Sequence, residues 1–138
     1  MAASVPGTLV YVDQSEVRAG KIDEARAAAR ELTEFVRLNE PHILSYSIYF
    51  SDDGTRMFVV HAHRDAASLD FHLAVAGPQF KRFADLLHLL RIDVYGTPSD
   101  EAVSQMHQKS EMLGGTAPVC VHELEAGFAR LSAASAAD

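Results

Sequence analysis

Apolar residues alternate with polar ones near the N-terminus, recur every three or four positions further on, and alternate again on both sides of a turn. This succession of periods restricts the fold more than any single motif does. Residues 8–17 read as a strand, with Leu9, Tyr11, Asp13 and Ser15 on one face and Val10, Val12 and Gln14 on the other. Over 21–38 the period becomes helical: Ile22, Ala25, Ala29, Leu32 and Val36 form a stripe, and Asp23, Glu24, Arg30, Glu31 and Glu34 take the wet side. Asn39-Glu40-Pro41 ends that helix, because proline disfavours the α conformation in the residue before it. Alternation resumes over 42–50, where Leu44, Tyr46, Ile48 and Phe50 share a face, and again over 56–64. Between them, Asp53-Gly54 marks a hairpin turn. With those two residues at its centre, Phe50 faces Met57, Tyr46 faces His61 and Leu44 faces His63; a slip of one residue would reverse every face.

Asp65 is placed to cap a helix that runs through Leu69, His72 and Leu73 to Gly77-Pro78. An amphipathic restart through Phe80, Phe83, Leu87 and Leu90 is expected next, then a short strand over 91–95. Thr97 and Asp100 have the spacing of a capping box for a helix that reaches Leu113 and stops at Gly114-Gly115. A last strand is expected over 119–124 and a disordered, alanine- and serine-rich tail over 131–138. The order is strand, helix, strand, strand, helix, strand, with an appended helix and strand, all in a single domain spanning 1–130. That is the α+β, ferredoxin-like split βαβ arrangement, an antiparallel sheet with helices on one face. The uncovered apolar face of a chain of 138 residues asks for a second copy, so a homodimer is expected.

Composition narrows the function. A net charge of −7 argues against nucleic acid, which demands a basic face. No apolar run approaches the ~20 residues of a membrane span, and the N-terminus lacks the basic and apolar regions of a secretory signal. The single cysteine, Cys120, cannot form an internal disulfide and fits the cytoplasm. The chemistry-bearing residues are histidines. His61 and His63 lie two apart on a strand and point the same way, with Cβ atoms ~7 Å apart. His72, on the following helix, can converge on them between helix and sheet. Imidazoles there serve as catalytic bases for a phenol or an activated C–H; the plain alternative is packing at a helix–sheet contact or a dimer face. The trio is also a metal-triad pattern, but no carboxylate or cysteine stands at a conventional spacing, and no metal is expected. Tyr46 can hydrogen-bond a substrate oxygen, Asp13 and Tyr11 share a pocket-facing strand face, and Phe80 and Phe83 either fill the core or line an apolar cavity for an aromatic ligand.

The segment Glu40-Pro41-His42-Ile43-Leu44-Ser45-Tyr46, followed by the hairpin, His61-Ala62-His63 and Leu69-x-x-His72, resembles the antibiotic biosynthesis monooxygenase (ABM) family of dimeric α+β barrels. Gly20, Glu40, Pro41, Tyr46, Leu69 and His72 match that family's pattern over 8–96. His42 replaces its glycine, and His61 and His63 replace its strand glutamate and tryptophan. The resemblance implies an oxidoreductase, a cofactor-independent monooxygenase of a small phenolic or quinol-like aromatic; the rival is a non-catalytic ligand-binding or interaction module of the same fold. Relatives that degrade haem use an asparagine, a tryptophan and an axial histidine at positions that resemble Asp13, His63 and roughly Ala84 here, so haem is not expected. The 97–130 extension lies outside the motif.

Overall fold

The structure, a computed structural model, describes residues 7–131. The expected tail over 131–138 therefore lies outside the described residues, Leu131 apart. Five strands, β1 (Leu9–Val17), β2 (Ile43–Phe50), β3 (Arg56–His63), β4 (Leu87–Tyr95) and β5 (Val119–His122), form one sheet in the order β2-β3-β1-β4-β5. The first four pair antiparallel, which is the ferredoxin-like arrangement. β5 joins β4 in parallel, so the sheet is mixed and not wholly antiparallel. Parallel neighbours need a crossover, and α3 (Asp100–Met112) supplies it.

The helices α1 (Ile22–Asn39), α2 (Ala66–Ala76) and α3 cover one face, together with a 3₁₀ segment, Gly77–Phe83. Beneath them lies the core, with Leu69, Leu89 and Ile92 fully buried. Each such side chain contributes roughly 1.5–3 kcal/mol by leaving water. The alternation along β1 is as read from the sequence: Leu9, Tyr11, Asp13, Ser15 and Val17 are buried, and the residues between them are not.

Three expectations fail at element ends. Phe50 does face Met57 and Tyr46 does face His61, but a register shift between Ile43 and Ser45 puts Ile43, not Leu44, opposite His63. Such a bulge adds one unpaired residue and turns Leu44 outward. Leu87–Leu90 is strand, not the end of an amphipathic helix: Leu87 pairs with Val17 and Leu89 with Ser15, both just beyond a second register shift, which falls between Gln14 and Ser15 in the β1–β4 pairing. The Leu86-Leu87-His88-Leu89-Leu90 run fits both periods, and pairing along β1 decides it. The cap of α3 is Ser99, not Thr97. Its hydroxyl accepts from the Ala102 N–H (3.0 Å) and donates to Asp70 of α2 (2.6 Å), tying the appended helix to the barrel. Asp65 caps α2 as expected, accepting from the Ser68 N–H at 2.9 Å.

Candidate functional site

Glu40 stands where Pro41 forces the chain out of the helix, with φ −129° and ψ 79°. That exit sends its carboxylate inward, 3% exposed, onto His72 of α2: Nδ1 lies 2.9 and 2.8 Å from the two carboxylate oxygens. β3 presents His61 and His63 to the same interior, 1% and 0% exposed. His61 Nδ1 meets His63 Nε2 at 2.6 Å, and His63 Nδ1 meets the Ser68 hydroxyl at 2.7 Å. The His61 ring stacks on Tyr11 (4.2 Å between centroids) and on Tyr46 (5.2 Å), with His72 4.4 Å away. All three histidines thus turn inward and converge.

A second polar group lies on the other side of Tyr11. Its hydroxyl donates to Asp13 Oδ2 at 2.7 Å, and Lys109 Nζ reaches both that oxygen (2.8 Å) and the Tyr11 hydroxyl (3.0 Å). Lys109 comes from α3, in the extension, and its ammonium also sits 4.2 Å from the centre of the Phe80 ring. Phe80 and Phe83 are buried and line, with Asp13, Tyr46 and Lys109, an internal cavity of only about 20 Å³. That volume suits a single water-sized molecule. The rings themselves fill the space the sequence leaves for a hollow. Outside, Phe80 and Lys109 form the floor of a surface groove of about 280 Å³, and they separate it from the cavity. On the other side of α2, Glu40, His42, Ser68 and Phe71 line a cleft of about 290 Å³.

Burial sets the protonation states. Desolvation, with His72 and His63 beside it, holds the His61 pKa well below the usual imidazole value, and desolvation with His72 lowers His63 to about 4. Both rings are neutral at pH 7. Desolvation raises the Tyr11 and Tyr46 hydroxyls, with the Asp13 carboxylate adding to both, so both stay protonated. A consequence for stability follows. The unfolded chain binds protons at these imidazoles from about pH 6.5 downward while the folded chain does not, so the free energy of unfolding falls with pH over that window. His63 alone lowers stability by about 2 kcal/mol between pH 8 and pH 5, given its folded value near 4. Urea titrations at the two pH values measure this; an unchanged midpoint contradicts it.

Three participants were not among the site residues read from the sequence. Glu40 entered only as a motif match. Ser68 follows the helix cap and carried no signal. Lys109 was legible in principle: Ala102, Met106, Lys109 and Leu113 fall on one helical stripe, and a lysine there must find a buried partner. Among the described residues no group of three or more His, Cys, Asp or Glu is arranged to hold a metal ion, and no helix is long and apolar enough to cross a membrane.

The sequence matches the antibiotic biosynthesis monooxygenase (ABM) family over residues 8–86. No curated protein matches it. Among solved structures the chain is similar to MupZ from Pseudomonas fluorescens, with 21% identity and a TM-score of 0.68 over 90% of this chain and 95% of that one. It is similar to a protein from Shewanella oneidensis, with 23% identity and a TM-score of 0.59 over 66% of this chain and 91% of the other. It is also similar to SnoaB, a cofactor-independent oxygenase from Streptomyces nogalater, with 14% identity and a TM-score of 0.57 over 67% and 95%.

Proposed function

The chain belongs to the antibiotic biosynthesis monooxygenase family, and on that premise we propose that it is an oxidoreductase, a cofactor-independent monooxygenase of a small phenolic or quinol-like aromatic. The observation that carries this reading is His61: buried, held neutral by desolvation, and stacked between two protonated tyrosines. A neutral imidazole sealed from water is a competent catalytic base for a phenol or an activated C–H. Nδ1 is engaged by His63, so Nε2 is the nitrogen that meets the substrate. The Tyr46 and Tyr11 hydroxyls, with Asp13 behind them, are hydrogen-bond partners for the substrate oxygens. His72, clamped by Glu40, orients the cluster, and His63 backs His61. Phe80 and Phe83 form the apolar wall. The substrate enters from the groove by displacing Phe80, whose ring stands 6.1 Å from His72 and closes the cavity.

For an anthrone-type methylene the balance is direct. Proton loss to His61 gives a carbanion, which passes one electron to O₂. The radical pair joins as a C–O bond to give a peroxide anion, which takes a proton back from His61, and the resulting hydroperoxide loses water to leave a carbonyl. One oxygen atom is incorporated and the other becomes water, with no external reductant. SnoaB, of similar fold, is itself a cofactor-independent oxygenase, which supports the reading. The rival, a non-catalytic ligand-binding or interaction module, draws support from His61 and His63 standing where the family pattern has a glutamate and a tryptophan. The 20 Å³ cavity, far below the roughly 300–1,000 Å³ of ordinary ligand sites, must widen for substrate and ligand alike. Oxygen uptake with a panel of hydroquinones and anthrones separates the two: consumption above the protein-free rate is expected, and none across the panel favours the module.

The uncovered sheet face carries Val10, Val12, Phe58, Val60 and Tyr95, with Val10 and Tyr95 exposed. Within this reading a second copy covers it. Sedimentation at micromolar concentration is expected to give twice the 15.0 kDa chain mass, and a species at 15.0 kDa rejects the dimer.

A further inference from the structure

The ring cluster is connected to the outside by one unbroken line of hydrogen bonds. It starts at His61, passes through His63 and ends at Ser68 Oγ, with contacts of 2.6 and 2.7 Å. His61 and His63 are sealed, whereas Ser68 is half-buried in the first turn of α2 and lines the cleft beside Glu40, His42 and Phe71. The line runs away from the Phe80 and Lys109 barrier, so its outer end opens on the other side of α2 from the groove.

We infer that His61, His63 and Ser68 form a proton relay that carries a proton taken up by the buried His61 to the solvent of the cleft. The inference rests on the reading of His61 as the base and adds how that base is discharged. In the relay each ring donates outward, His61 Nδ1–H to His63 Nε2 and His63 Nδ1–H to Ser68 Oγ. When His61 accepts a substrate proton at Nε2, its Nδ1 proton passes to His63 Nε2. The His63 Nδ1 proton passes to the serine oxygen, and the serine's own proton passes to water. One proton enters and one leaves, so no positive charge stays on the rings. The negative charge stays on the substrate until its peroxide anion takes the His61 Nε2 proton, when the same line runs inward from water and restores both tautomers. An imidazolium at His61 is strongly disfavoured there, since burial strips it of water and His72, His63 and the Lys109 ammonium all oppose a positive charge. Without an outlet the base returns its proton to the substrate. The substrate's door and the proton's door are then on different sides of α2, and His61 can stay out of contact with bulk water while it is discharged.

The test needs no substrate. In ¹⁵N-histidine-labelled protein, solvent exchange of the His61 ring N–H reports on the relay. Ser68→Ala removes the last link but leaves the backbone N–H that caps onto Asp65. It is expected to slow that exchange about tenfold or more, with recovery on adding imidazole as an external carrier. Ser68→Thr, which keeps a hydroxyl, is expected to exchange at the wild-type rate. His63→Gln, which breaks the line in the middle, gives a second reading if Ser68→Ala perturbs the fold, and slow exchange is again expected. Wild-type exchange in both folded broken-line variants overturns the relay, as does slow exchange in Ser68→Thr. An absence of oxygen uptake sinks the proposed activity and leaves the exchange experiment to decide the relay separately. With a turned-over substrate in hand, Ser68→Ala lowers kcat about tenfold with KM unchanged, a fraction of the 10²–10⁴ supplied by acid–base catalysis as a whole.

Discussion

Replacing Lys109 with methionine is expected to lower the free energy of unfolding by about 3–5 kcal/mol, a large part of the stability of a domain this size. The ammonium lies 2.8 Å from Asp13 Oδ2, with 10% of the lysine side chain and 2% of the aspartate side chain exposed. Methionine fills similar space but leaves a carboxylate in the core with the Tyr11 hydroxyl as its remaining partner. Breaking a buried pair is costly for that reason, whereas replacing both members with neutral groups is often close to neutral. The double variant Lys109→Met, Asp13→Asn is accordingly expected to regain most of the loss. Urea denaturation of the four proteins in the cycle measures the coupling. A loss below about 1 kcal/mol in Lys109→Met shows that water reaches Asp13, because only solvated pairs are worth so little.

The largest effect on activity is expected from His61→Phe. Phenylalanine preserves a flat ring between Tyr11 and Tyr46, so the stack remains, but it offers no nitrogen to a proton. Oxygen uptake is expected to fall by 10²–10⁴-fold, carried by kcat with KM little changed. A fall confined to KM assigns His61 to ground-state binding. Unchanged uptake moves the base elsewhere in the cluster. Urea midpoints accompany the assay, because the substitution also removes the partner of His63 Nε2.

Much of the fold and part of the site were legible in the sequence, and the parts that were not have identifiable causes. Alternation along β1 and β3 correctly sends Asp13, His61 and His63 to the helical side, because a strand's two faces follow from its period alone. The Tyr46–His61 pairing was legible too: Asp53 binds the Thr55 N–H and both the Ser51 and Thr55 hydroxyls while Gly54 takes φ 73°, which fixes the hairpin. Leu44 was misplaced because a bulge shifts the register through pairing with β3, and no residue type marks it. Leu87 and Leu89 satisfy two periods at once, so only the neighbouring strand decides between them. Glu40 takes its role from a contact that crosses the fold: His72 and Glu40 are 32 positions apart, and no local pattern announces such a pair. Ser68 lies only five positions from His63, but the contact turns the corner from β3 into α2, where neither period applies. Lys109 lies 96 positions from Asp13, and the family resemblance stops before it.

The dependence of Asp13 on Lys109 limits how this barrel can be cut or shortened. A chain ended after β4 keeps every residue that matches the family, yet it retains an acid whose cationic partner, Lys109, has been removed with α3. Such a minimal barrel becomes self-sufficient only if position 13 is made uncharged, so the side chain there and the presence of the third helix form a matched set that must be exchanged together.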